Sequence, residues 1–347
     1  MAKRAVVSGD HHIHAHKGSM ERLYDCLDVL KWVFKTALTN AIPDVFILGD
    51  LMQDRVKIHT LAYHEVFRLF RKYAADEGLR VHVLLGNHDC WQNNSWEVNT
   101  VAPLGSIPNV QVIDRPCSYE VQGRMIDWMP YSKDPARHLL GLGKGDILLG
   151  HLSIAEAQYS INRTQWTDLP VECEADMDKL EVERLNRWKK VLLGHIHMCQ
   201  WIGNVEYLGS PLELRSDECG VDKHIAVIDL DTLEMKYFKN TFSPRHILVH
   251  ESEVESADLD NNFVTVIVDD AGKTSIADLK QRMSQFCTPR KLEFVEAPKE
   301  QTEGGDPAQR IDIGDASVLR QWVRRNGPKG LDEDRLVELA ERLCQEA

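Results

Sequence analysis

The chain has 347 residues, of which 43% are hydrophobic and 27% charged, enough for about two domains with a substantial core. Its formal net charge of −13 excludes a protein that coats nucleic acid by bulk electrostatics, but not a nuclease whose bound cations meet the phosphate. No stretch is apolar for the length of a membrane span, and the first residues run straight into a strand, so neither an anchor nor a signal peptide is expected. The eight cysteines are scattered without a CxxC pair and read as the reduced thiols of a cytosolic protein.

Residues 5–9 read as a strand that runs into Asp10-His11-His12-Ile13-His14. Ser19 is placed to cap a helix in which Leu23, Leu27, Leu30, Val33 and Leu38 recur at helical spacing. Pro43 breaks that pattern, and the next strand, Val45–Leu48, ends in Gly49-Asp50. A second helix is expected over 60–75, with Leu61, Val66, Phe70 and Ala74 on one side. A third apolar run, Val81–Leu85, ends in Gly86-Asn87-His88-Asp89. The result is β-α-β-α-β with polar residues at each strand's C-terminal end, where α/β proteins build their sites.

After residue 100 the pattern changes to short strands at 110–113, 119–121 and 125–129, which suggests antiparallel pairing in a second sheet or an extension of the first. The run 147–149 ends in Gly150-His151. A polar loop with Asn162, Arg163, Trp166 and Pro170 follows, then a charged helix over 177–187. Val191–Leu193 ends in Gly194-His195-Ile196-His197, and two strands, 224–230 and 234–238, close this part. A smaller β-α-β module begins near Pro244, with strands at 246–249, 263–269 and 291–295 and a helix at 275–286. Residues 297–309 are a linker by composition. Two short helices, 316–325 and 333–345, carry narrow apolar stripes that suit either docking on the main body or binding another chain.

Five strand ends therefore share one pattern, an apolar run closed by glycine and then by Asp, Asn or His. In extended backbone, side chains at i and i+2 point the same way, so Asp10 can converge with His12, and His195 with His197. Carboxylate, imidazole and amide oxygen suit Mn²⁺, Fe²⁺ or Zn²⁺. No cysteine is among them, which argues against structural zinc. The donors exceed what one ion needs, and two ions sharing a carboxylate would suit in-line phosphoryl displacement. One Gly-Asp or Gly-His is usually a turn, but five of them are hard to explain as turns. His11, His14 and His16 read as surface or supporting residues, and Asp89 as an orienting residue or turn former.

Asp10-x-His12, Gly49-Asp50, Gly86-Asn87-His88-Asp89, Gly150-His151 and Gly194-His195-x-His197, in that order over residues 5–240, resemble the calcineurin-like metallophosphoesterase superfamily. Gly49-Asp50-Leu51-Met52-Gln53-Asp54-Arg55, and Tyr207–Pro211 with Asp217-Glu218, resemble the SbcD-type DNA repair nucleases. The length, the small module and the terminal helices are most similar to the phage recombination endonuclease subunits of that group. The resemblance implies a four-layer α-β-β-α sandwich with a small α+β cap and C-terminal helices. It divides the chain into a nuclease domain at 1–243, a DNA-binding cap at 244–296, a linker at 297–309 and an ATPase-binding tail at 310–347.

The same resemblance implies two divalent ions, with Mn²⁺ ahead of Mg²⁺, Fe²⁺ or Zn²⁺. Asp10, His12, Asp50 and His197 would hold one ion, and Asp50, Asn87, His151 and His195 the other. A bridging hydroxide would attack phosphorus, while His88 would stabilise the transition state and help protonate the leaving oxygen. The implied activity is 3′→5′ exonuclease on duplex DNA and endonuclease on single strands, serving double-strand-break processing and recombination. The implied partners are DNA, an SbcC-type coiled-coil ABC ATPase bound by the C-terminal helices, and a second copy of the chain, a homodimer within a heterotetramer. The implied location is the cytoplasm, the host's if the chain is phage-encoded.

One position departs from the pattern. Three residues after the bridging Asp, relatives usually carry Asp or His; here Gln53 stands there, with Asp54 beside it. Glutamine hydrogen-bonds but shares no charge with an imidazolium, so either Asp54 takes the role or His88 has less support. A phosphoprotein phosphatase or nucleotide phosphohydrolase would use the same site, but would not need residues 245–347. A non-catalytic scaffold would show eroded ligands, and none is missing.

Overall fold

The computed structural model describes residues 2–92, 95–158, 179–269 and 275–297. All of them belong to the first of two compact units, 1–297. The polar loop around Asn162, the linker beyond residue 297 and the two terminal helices lie outside the described residues.

The first half follows the expected order: β1 (Arg4–Ser8), α1 (Met20–Thr39), β2 (Asp44–Ile47), α2 (Thr60–Phe70) and β3 (Arg80–Leu84). Ser19 caps α1 by accepting from the Arg22 N–H at 3.3 Å. After α2 the chain widens into a π-helical turn, Arg71–Asp76, which keeps Tyr73 and Ala74 buried although the regular helix has ended. A hairpin, β4 (Cys90–Gln92) and β5 (Ser95–Asn99), precedes β6 (Val110–Ile113). Then come β7 (Cys117–Val121), β8 (Arg124–Met129), α3 (Pro135–Leu139), β9 (Ile147–His151), β10 (Lys190–Gly194), β11 (Gln200–Ile202) and β12 (Val205–Tyr207). β13 (His224–Asp229) and β14 (Met235–Lys239) follow, and β15 (His246–His250), β16 (Phe263–Val268), α4 (Ile276–Met283) and β17 (Lys291–Glu296) form the small module.

Two six-stranded sheets make the main body, ordered β14-β13-β1-β2-β3-β6 and β11-β12-β10-β9-β8-β7. The central pairs β1-β2, β2-β3, β8-β9 and β9-β10 are parallel. The short strands after residue 100 do both things their spacing allowed: β6 extends the first sheet and β7 pairs antiparallel with β8 in the second.

Strand alternation sorts the side chains into layers. Ala5, Val7, Phe46, Leu48 and Leu84 face Ile126, Trp128, Leu149 and Leu192 of the second sheet. Val6, Val45, Ile47, Val81 and Val83 turn the other way, against Leu30 and Phe34 of α1 and Phe70 of α2. On the far side Leu148, Val191 and Leu193 pack on Leu139, Leu185 and Trp188. This is the four-layer α-β-β-α sandwich. Its central strands are buried on both faces, and for that reason they read as unbroken apolar runs.

The charged helix expected over 177–187 is not formed in its described part. Leu180 pairs with Ile154 in an isolated bridge, and a 3-10 turn spans Val182–Leu185. The Asn204 side-chain NH₂ donates to the carbonyls of Leu185 at 3.0 Å and Trp188 at 2.6 Å. These carbonyls are thus satisfied without the next helical turn, and burial of Leu180, Leu185 and Trp188 holds the segment against the sheet.

In the small module β15, β16 and β17 form a parallel sheet in that order, with α4 packed through Leu279 and Met283 on Val264, Val266 and Val268. Buried Glu213 fastens the module to the main body by accepting from Arg245 Nε at 3.2 Å and the His246 N–H at 2.5 Å. An ion pair between Arg290 and Asp25 of α1, 2.6 Å long, adds a second fastening.

Candidate metal centre

The strands that end in Asp, Asn or His are neighbours. β1, β2 and β3 adjoin in one sheet and β9 and β10 in the other. Parallel pairing continues beyond β1 and β2 into their loops: Asp10 N–H donates to Gly49 O at 3.0 Å, His12 N–H to Asp50 O at 2.9 Å and Ile13 N–H to Leu51 O at 3.0 Å. Four of the polar residues, Asp10, His12, Asp50 and His195, adopt positive φ of 53°, 46°, 50° and 93°. Such backbone costs on the order of 1–3 kcal/mol per residue and persists only where its surroundings enforce it. Asp89 is fully buried and accepts from the N–H groups of Met52 at 3.0 Å, Gly86 at 3.0 Å and Leu51 at 3.4 Å, tying the loop after β2 to that after β3.

Glycines mark the closest approaches. A Cβ on Gly86 would lie 2.1 Å from Asp50 Oδ1. One on Gly194 would lie 2.3 Å from Leu48 O, across the gap between the sheets, and 3.3 Å from Asp10 Oδ2. Any side chain at either position would push apart the groups that meet there.

Ligand-type atoms gather in overlapping groups. Those of Asp10, His12 and His197 lie within 4.8 Å of one another, as do those of Asp50, His151 and His195, and those of His12, Asp50 and His88. Asn87 Oδ1 lies 3.0 Å from His151 Nε2 and 3.1 Å from His195 Nδ1. All eight residues proposed from the sequence as ligands or acid are thus brought together. Asp10, His12, Asp50, Asn87 and His151 are buried, while His88, His195 and His197 are half-buried and open the cluster to solvent.

Hydrogen bonds aim the imidazoles. His12 Nδ1 meets the Gln53 side-chain oxygen at 2.5 Å, His151 Nδ1 the Leu48 carbonyl at 2.7 Å and His197 Nδ1 the Glu218 carboxylate at 2.9 Å. Each partner oxygen accepts only, so each Nδ1 carries a proton and each Nε2 points inward, where a neutral ring presents a lone pair. His12 Nε2 and His197 Nε2 consequently face each other at 2.9 Å. Asp10 Oδ1 accepts from the His195 N–H at 2.8 Å, but its buried Oδ2 has no hydrogen-bond partner among the described residues. Opposed lone pairs, an orphaned buried carboxylate oxygen and an amide oxygen turned toward acceptors are what divalent cations would satisfy. The donor set fits hard or borderline ions.

The titrating groups are correspondingly displaced. Burial raises the Asp10 carboxyl above the usual range, and the nearby Asp50 charge adds to this. Burial also pulls down His12, and takes His195 to about 3 with help from the His151 charge. At His151 burial opposes the charge, but the Asp50 carboxylate outweighs it and lifts the imidazole to about 9. Burial likewise opposes the Asp50 charge, yet His151 and His88 hold that carboxyl well below its ordinary value. His151 thus supplies a positive charge beside Asp50; a divalent cation there would supply the same charge and release the proton.

The sequence pattern of the calcineurin-like phosphoesterases matches residues 3–223. The chain belongs to the calcineurin-like phosphoesterase family. Exonuclease subunit 1 of Enterobacteria phage T4 is 23% identical over 327 residues, which span 92% of each chain. The SbcD component of the nuclease SbcCD of Escherichia coli K12 is 24% identical over 285 residues, 70% of this chain and 68% of its own.

Within this family member, several working residues were not legible as such. Glu218 is buried and joins His197, Lys223 at 2.6 Å and Ser210 Oγ at 3.0 Å. Burial opposes its charge, but Lys223 and His197 outweigh it and hold the carboxyl below its ordinary range. Glu218 follows His197 by 21 residues on a separate 3-10 turn, so no local spacing announces the pair. His11 is fully buried, not a surface residue, with Nε2 at 3.1 Å from Ser8 Oγ, and burial takes it to about 3. Gln53 divides its support: the side chain holds His12, and its backbone carbonyl accepts from His88 Nδ1 at 3.0 Å. Asp54 takes part in neither contact.

Glu218→Gln keeps the shape but removes the charge that orients and enriches His197. Mn²⁺ affinity measured by calorimetry is expected to fall about 10- to 100-fold with little change in the content of secondary structure. An unchanged affinity would assign Glu218 to the fold alone.

Proposed function

We propose that the chain is a metal-dependent DNA nuclease, active as a 3′→5′ exonuclease on duplex ends and as an endonuclease on single strands, with Mn²⁺ as its working ion. The observation that carries this reading is the convergence of Asp10, His12, Asp50, Asn87, His151, His195 and His197, with His88 beside them, at one edge of both sheets. The two relatives, an exonuclease subunit and a nuclease subunit, support DNA as the substrate and a further subunit as partner.

Asp10, His12, Asp50 and His197 would hold one ion, and Asp50, Asn87, His151 and His195 the other. Bound there, a pair of divalent cations supplies a water nucleophile at neutral pH and charge stabilisation for an in-line phosphoryl displacement. The protein's own residues do the rest. Gln53, Leu48 and Glu218 fix the tautomers of His12, His151 and His197. Asp50 Oδ1 accepts from the His88 N–H at 2.8 Å, and the Gln53 carbonyl engages His88 Nδ1, so His88 Nε2 is left to hold a proton for the departing oxygen. Residues 1–243 make the nuclease domain in this reading and 244–296 a DNA-contacting cap. Beyond the linker at 297–309, residues 310–347 bind a coiled-coil ABC ATPase, and the nuclease part dimerises.

The test is cleavage of linear duplex and circular single-stranded DNA by the full chain with Mn²⁺. Shortening of duplex strands from the 3′ end and linearisation of the circle are expected. Rapid hydrolysis of small phosphomonoesters with intact DNA would overturn the reading in favour of a phosphatase. In the same preparation, a chain stopping near residue 305 is expected to keep its nuclease activity and lose co-purification with the ATPase.

A further inference from the structure

We propose that Glu213 is a positioning residue for His197, and that segment 210–223 makes the aim of that imidazole depend on how the small module is seated. The inference rests on the metal-binding reading above and adds a route by which the module bears on the ions.

Two glutamates five residues apart stand at the ends of this route. Glu218 holds His197, with Oε1 at 2.9 Å from Nδ1. Lys223 Nζ reaches Glu218 Oε2 at 2.6 Å, Ser210 Oγ at 2.7 Å and the His197 carbonyl at 2.9 Å, so His197 is gripped at both side chain and backbone. Glu213 holds the module, accepting from Arg245 Nε and from the His246 N–H at the start of β15. The two grips share a peptide: the N–H of Leu214, next to Glu213, donates to Glu218 Oε2 at 3.1 Å. Arg22 of α1 closes the junction. It donates to the Glu213 carbonyl, and its guanidinium lies 5.0 Å from the centre of the Phe263 ring of β16.

Burial makes the two ends move together. Glu213 is buried, and burial pushes its carboxyl above the ordinary range, opposed by the His246 N–H and by Arg245. Both of these donors belong to the module. When the module leaves its seat, a buried carboxylate loses them, and the chain around it must shift to bring it to water. That shift carries the Leu214 N–H away from Glu218. His197 lies on the loop after β10, half-buried, and Glu218 fixes its ring, so displacement of Glu218 turns Nε2 off the ion position. The coupling is reciprocal: if seating raises ion affinity by some factor, bound ions favour the seated module by the same factor. The module's other fastening lies outside this segment, because Arg290 pairs with Asp25 and Asn261.

The test uses the full chain, with Mn²⁺ titrated by calorimetry and amide hydrogen exchange over 246–250 followed by mass spectrometry with and without Mn²⁺. Glu213→Gln is expected to lower Mn²⁺ affinity about 5- to 20-fold. Arg245→Ala removes the same ion pair from its more exposed side, without altering a buried residue, and should repeat the direction of the loss. Arg290→Ala should speed exchange in the module yet leave Mn²⁺ affinity unchanged, because the Glu213 grip persists and the module stays mostly seated. In the unsubstituted chain, saturating Mn²⁺ should slow exchange over 246–250 by the factor lost in Glu213→Gln, and in that variant Mn²⁺ should have no such effect. Added to Glu218→Gln, Glu213→Gln should cause no further loss, since both act through His197. Unchanged Mn²⁺ affinity in both Glu213→Gln and Arg245→Ala, an equal loss in Arg290→Ala, or additive losses in the double variant each overturn the proposal while the metal reading stands. An unsubstituted chain that binds no Mn²⁺ overturns both.

Discussion

Asp50→Asn is expected to abolish productive ion loading at both positions and to lower DNA cleavage by at least about a thousandfold. Asp50 is within reach of both groups: its Oδ2 lies 3.5 Å from His12 Nε2 and 3.4 Å from His151 Nε2. The isosteric amide keeps an oxygen for the His88 N–H, so the loop after β3 retains its anchor. What it removes is the charge that His12 and His151 face. Calorimetry with Mn²⁺ should find two ions for the unsubstituted chain and none bound at micromolar concentration for the variant. A variant that binds a single ion with unchanged affinity would show that Asp50 serves only one position.

His88→Ala is expected to reduce kcat on DNA by about 10²- to 10⁴-fold, the usual range for a general acid, with Mn²⁺ affinity intact. The sharper measurement varies the leaving group. A deoxyribose oxygen needs a proton as it departs, whereas p-nitrophenolate leaves without one. The variant should therefore lose far less on bis(p-nitrophenyl) phosphate than on DNA. Equal losses on both would remove the acid role from His88 and leave it as a stabiliser of charge.

The Gln53 departure bears on the same residue. Glutamine in place of a charged group raised a doubt about what supports His88. In the folded chain the support is a backbone carbonyl, which any residue at position 53 provides, and the amide side chain is directed to His12 instead. The charge missing beside His88 is therefore not replaced by Asp54. The imidazole is oriented by a neutral oxygen, which sets its tautomer.

Much of the site could be read before the fold was known, for a specific reason. Strands β1, β2, β3, β9 and β10 are buried on both faces and are therefore apolar without alternation. A polar residue after glycine at the end of such a run can only sit at the rim. Asp10, His12, Asp50, Asn87, His88, His151, His195 and His197 are all of this kind, and order along the chain was enough to list them. Glu218 and the double role of Gln53 are of another kind. Glu218 reaches His197 from a 3-10 turn, and Gln53 acts partly through its backbone. Neither relation has a period or a fixed spacing.

The sequence by itself determined the β-α-β-α-β order of the first half, the five polar strand ends and the donor types, because burial and periodicity are local properties of the chain. Tertiary structure decided which strands became neighbours, that β6 joins the first sheet while β7 and β8 join the second, and that residues 182–185 form a 3-10 turn and not a helix. It also decided the aim of each imidazole. That aim depends on acceptors from distant segments: Gln53 for His12, Leu48 for His151 and Glu218 for His197. Such oxygens become partners only when packing brings them within about 3 Å, and no pattern along the chain carries that distance.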